Sequence, residues 1–171
     1  MQTTQSRIHH SALRQGLLFG IILGVLLLVF NLINNLANLD ATDKTWLKNS
    51  LLVVMIVLPG LAGYISSKET GRIKSGAWTV LVTGFVSAFI GIVSLWVITF
   101  LFMDTLSHNA LTVIDFQPSG KASMEAFSVA SAWGGSIFIF VFSLAFGAGY
   151  GLLGSLLGAR NAHLPTEFAQ G

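Results

Sequence analysis

The chain has 171 residues, of which 53% are hydrophobic and only 9% charged, with a formal net charge of +2 and no cysteine. Soluble domains carry about 25% charged residues, so this composition excludes a water-soluble core and points to an integral membrane protein. The missing cysteines exclude disulfides, thiolate metal sites and a cysteine nucleophile.

Four runs without Asp, Glu, Lys, Arg or His follow one another, at residues 15–39, 49–67, 75–103 and 126–159. A helix crosses about 30 Å of hydrocarbon with about 20 residues at ~1.5 Å each. The runs predict an all-α fold: one membrane domain over residues 1–171, with four transmembrane helices in a compact bundle. The spans are expected at about 14–35, 46–66, 76–103 and 127–158.

At the start, Arg7 and Arg14 precede an apolar run that begins at Gly16, which is the charge layout of a signal peptide. The run continues to Ile33 apart from Asn31, and no small-x-small site follows it closely, so an uncleaved first span is predicted. Gly16, Gly20 and Gly24 recur every fourth residue, which places them on one helix face and lets another backbone come close. Asn31, Asn34, Asn35 and Asn38 read as the amide-rich exit of this span at the membrane interface.

The second span has a candidate cap at Thr42, an acidic residue in its first turn at Asp43, and Trp46 at the interface. Pro59 and Gly60 are the expected kink, because Pro59 lacks an N–H and crowds the carbonyl of Met55. Ala62-Gly63-Tyr64 near its end is repeated as Ala148-Gly149-Tyr150, a weak hint of two duplicated hairpins. Lys68, Arg72 and Lys74 in the following turn are candidate contacts for anionic lipid, at about 1 kcal/mol each.

The third span carries Gly84, Ala88 and Gly91 with Ser87 and Ser94 beside them. After it, residues 104–125 form the longest extramembrane loop, with a turn at Gln117-Pro118-Ser119-Gly120 and a helical spacing between Asp104 and His108. The fourth span is expected to begin near Ser123, with Met124 and Phe127 in its first turns. Ser143, Gly147, Gly151 and Ser155 again recur every fourth residue, flanked by Gly154 and Gly158. Close van der Waals contact is what holds helices together in lipid, so these small-residue faces are the expected helix contacts.

Assigning loops to alternate sides puts Arg7, Arg14, Lys68, Arg72, Lys74 and Arg160 on one side and Lys44, Lys48 and Lys121 on the other. The positive-inside rule then predicts both termini in the cytoplasm, and the expected location is a bacterial plasma membrane.

No ionisable residue lies inside a span, where one would cost at least ~2.5–3.5 kcal/mol and would mark an ion or proton relay. The span hydroxyls, such as Thr83, Ser87, Ser94, Ser131, Ser136 and Ser143, read as structural, since Ser and Thr return hydrogen bonds to their own helix. His9, His10, His108 and His163 fall on different sides and do not converge on one metal. The expectation is a non-enzymatic protein with no catalytic residue, metal or cofactor and no nucleic-acid partner. It is read as a structural or accessory subunit acting through its small-residue helix faces, in contact with lipid and with a membrane-protein partner or a second copy of itself. The alternative is a small permease or channel with a hydroxyl- and glycine-lined path. A lipid-acting enzyme would have only the loop carboxylates Asp104, Asp115 and Glu125 to use.

Overall fold

A computed structural model describes residues 2–37 and 39–162, with side chains throughout except at residues 2–9, 41 and 111. The side chains of Arg7 and His9, all of Asn38, and His163 lie outside these. Every regular element described is helical: α1 Gln2–Leu36, α2 Ala41–Thr70, α3 Ile73–Leu101, α4 Met103–His108, α5 Ala110–Phe116, a single 3-10 turn Gln117–Ser119, and α6 Met124–Ala162. Segments of α1, α2, α3 and α6 are long and apolar enough to cross a membrane: His10–Leu36, Thr42–Thr70, Ile73–Leu101 and Met124–Ala162. This is the architecture of a multi-pass membrane protein.

The helix ends follow local chemistry. Asp40, not Thr42, caps α2: its carboxylate accepts the Asp43 N–H at 2.8 Å, and the helix begins two residues earlier than a cap at Thr42 would allow. A carboxylate is the stronger partner there because it also meets the positive end of the helix dipole. Gly71 ends α2 in the left-handed conformation, φ 64°, and the chain turns at once into α3. Ser123 caps α6, accepting the Ala126 N–H at 3.1 Å on its hydroxyl. Residues 104–125, read from sequence as a loop, contain most of α4 and the whole of α5. Asn109 organises them: its side-chain oxygen accepts the Thr112 N–H at 3.3 Å, while its Nδ2 reaches the carbonyls of Asn35 and Ala37 at the end of α1.

Packing inverts the pattern of a soluble protein. The buried residues of α3 are mostly small or hydroxylated, including Ser75, Gly76, Thr79, Thr83, Gly84, Ser87, Ala88, Gly91 and Ser94. Those of α6 include Ser136, Ser143, Gly147, Gly151, Gly154, Ser155 and Gly158. Large apolar side chains face outward instead, among them Leu18 at 57% exposure, Phe85 at 59% and Phe89 at 63%. In water such a surface would drive aggregation, whereas against lipid tails it is neutral, and the small residues inside let backbones touch.

Two ends of the molecule differ. At the terminal end lie the start of α1, the α2–α3 turn and the end of α6. At the loop end lie the α1–α2 connection and α4–α5. Close to the terminal end, α2 and α6 meet backbone to backbone: a Cβ on Gly63 would strike the Gly151 carbonyl oxygen, one on Gly154 would strike Gly60, and one on Gly158 would strike Tyr64. α2 runs unbroken through the buried Pro59, and Gly60 lets it approach α6. A Cβ on Gly149 would meet nothing within 4 Å, unlike one on Gly63. The glycines of the two Ala-Gly-Tyr triplets therefore occupy different environments.

Candidate functional site

The small-residue faces lie against other helices of the same chain. A Cβ at Gly16 would come within 2.7 Å of Val82 Cβ, and those at Gly20 and Gly24 within 2.8 Å of Val86 Cβ and Ile90 Cβ, so α1 lies along α3. Across the other face of α3, Gly84 stands 3.0 Å from the Ser143 carbonyl oxygen by the same construction, and Gly91 lies 3.2 Å from Ile139 and 3.3 Å from Leu27. Ala88 is buried at 1% exposure. Gly147 and Gly151 face Val80, and Ser155 lies beside Gly63 and Gly76.

Hydroxyls fasten the same contacts. Thr79 Oγ1 is within reach of the Ala12 carbonyl at 3.1 Å and of Ser66 Oγ at 2.8 Å, and Ser66 meets Ser75 at 3.1 Å. Thr83 Oγ1 reaches the Gly16 carbonyl at 3.2 Å as well as its own helix at Thr79. Asn31, read from sequence as interfacial, is buried and donates from α1 to Ser94 Oγ at 2.9 Å and to the Gly91 carbonyl at 3.2 Å.

Toward the loop end the four long helices enclose a cavity of about 320 Å³. All four line it, together with α4 and α5. Its polar wall residues near the loop end are Asn34, Asn35, Lys44, Thr112 and Asp115, and its deeper wall includes Leu27, Met55, Ile139 and Phe142 with Ser143 among them. Asn34, Ser128 and Ser143 each carry a side-chain oxygen that is buried without a hydrogen-bond partner. Burying an unpaired hydroxyl or amide oxygen costs about 1–3 kcal/mol, and all three belong to residues of this one wall. Lys44 and Asp115 line the same opening.

Elsewhere the polar groups are dispersed. Lys68 lies 5.7 Å above the ring of Tyr64, whose hydroxyl accepts from Asn161 Nδ2 at 3.2 Å. Lys68, Arg72 and Lys74 are all exposed at the terminal end, around the α2–α3 turn. His108 and Asp104 approach within 3.7 Å on the surface, with side chains 78% and 96% exposed. No group of three or more metal-ligating side chains occurs among the described residues.

The cavity has a sequence signal only in part. Asn34 and Asn35 stand out as amides, but nothing in the one-dimensional pattern brings Lys44 and Asp115 to the same opening. No protein-family model matches the chain, and neither does any curated protein or solved structure.

Proposed function

We propose that this chain is a small, non-enzymatic permease of a bacterial plasma membrane: a compact four-helix bundle with both termini in the cytoplasm and the loop-end cavity open to the outside. The observation that carries the reading is the cavity, because it joins convergent amides, hydroxyls and two charges to an apolar interior, the usual make-up of a small-molecule site. The excess of basic residues at the terminal end supports the orientation.

The glycine contacts of α2 with α6 close the cytoplasmic half. Passage then consists of parting that contact while the loop end closes, a rocking motion that small residues and Pro59 permit without unfolding either helix. An accessory role through the small-residue faces has less support, since those residues already lie against helices of this chain and a partner would meet large apolar side chains instead.

Single-cysteine labelling in proteoliposomes tests the reading. Ser143→Cys lies on the cavity wall and is 2% exposed, so a permease carries it between states reached from either side. Modification by membrane-impermeant maleimide from both faces supports passage. Modification from one face alone shows a binding site that does not alternate.

A further inference from the structure

The geometry points to a single-chain zwitterionic amphiphile as the molecule held in the loop-end cavity, an inference that rests on the binding site proposed above. Polarity along the cavity is graded. At the rim stand one cation, Lys44, and one anion, Asp115, with the amides of Asn34 and Asn35 between helices. A head group bearing both charges satisfies both side chains together, whereas a singly charged solute leaves one of them facing a like charge.

Below the rim the wall is mainly apolar, through Leu51 and Met55 on α2 and Ile139 and Phe142 on α6, with Ser143 a polar exception at its deep end. Along α2 alone the lining runs from Lys44 to Met55, about 16 Å at helical rise. A volume of about 320 Å³ lined over that length has room for one extended chain. A head-sized solute would leave the deep apolar wall without contact. Asn34 and Ser128 belong to the upper wall, on the side of the polar part of such a molecule.

Photocrosslinking tests this with the full-length chain in phosphatidylglycerol nanodiscs, using a lysophosphatidylcholine that carries a diazirine on its acyl chain. Expected adducts map to Leu27, Met55 and Ile139, disappear with excess unlabelled lysophosphatidylcholine, and persist with phosphocholine alone. Lys44→Gln and Asp115→Asn each lower labelling about tenfold, and the cavity-filling Ala132→Phe abolishes it. Ser131→Phe, at an exposed wall position, repeats that loss where Ala132→Phe fails to fold.

Adducts confined to the outward-facing Phe85, Leu101 and Ile137, unmoved by any competitor, overturn the proposal. Competition by phosphocholine alone as strong as by the chain-bearing lipid also overturns it, while leaving a small-solute site intact. Loss of every specific adduct together with unreactive cavity cysteines removes the binding site itself.

Discussion

Gly63 of α2 and Gly151 of α6 touch through their backbones: a Cβ on Gly63 would collide with the Gly151 carbonyl oxygen and lie 2.7 Å from Ser155 Oγ. A carbonyl in a helix cannot move aside as a side-chain tip can, so this contact tolerates no added carbon without separating the helices. On its other side Gly151 faces α3, and Gly151→Leu is expected to lower stability by about 1–3 kcal/mol or more, since its Cβ would fall 2.8 Å from Val80 Cβ. Gly149→Ala, two residues away and facing open space, should be neutral or stabilising by up to about 1 kcal/mol through helix propensity. Thermal unfolding in one detergent compares the two; equal effects would remove the seam.

Asn31 joins α1 to α3 through a hydrogen bond to Ser94 and one to the Gly91 carbonyl. Interhelical hydrogen bonds in membranes are worth about 0.6 to 2 kcal/mol. Asn31→Leu should therefore destabilise by that amount, and Ser94→Ala by less, because the Gly91 bond survives. A double-mutant cycle measures the coupling, and strict additivity would show that the two side chains do not interact.

At the start of α2 the cap is Asp40. Asp40→Ala is expected to cost about 1 kcal/mol and to fray the first turn, while Thr42→Ala should leave stability unchanged. Hydrogen exchange at the Asp43 amide reads the difference: faster exchange in the Asp40 variant alone supports this cap, and faster exchange in the Thr42 variant alone reverses it.

Much of the architecture is legible in one dimension because lipid imposes a simple rule: long uncharged runs become helices, and four such runs become four long helices. Small residues at every fourth position are equally visible, and the structure sets Gly16, Gly20 and Gly24 against α3 and Gly151 against α2 and α3. The sequence does not say which partner each face meets, since Gly134 and Gly149 look the same in sequence and face open space. Asn31 misleads for a physical reason: an amide near a span end satisfies itself equally well at the interface or against a neighbouring helix. The cavity is invisible because its wall is assembled from all six α-helices, and no local pattern records where Lys44 and Asp115 come together.

The measurement that bears most directly on the account uses the absence of native cysteine. Ser131→Cys on the cavity wall and Ser67→Cys in the closed half are each exposed to membrane-impermeant maleimide on intact cells. Ser131→Cys is expected to react from outside, while Ser67→Cys, at 0% exposure, is not. Reaction at Ser67→Cys with Ser131→Cys protected would contradict it, reversing both the orientation and the end at which the molecule opens.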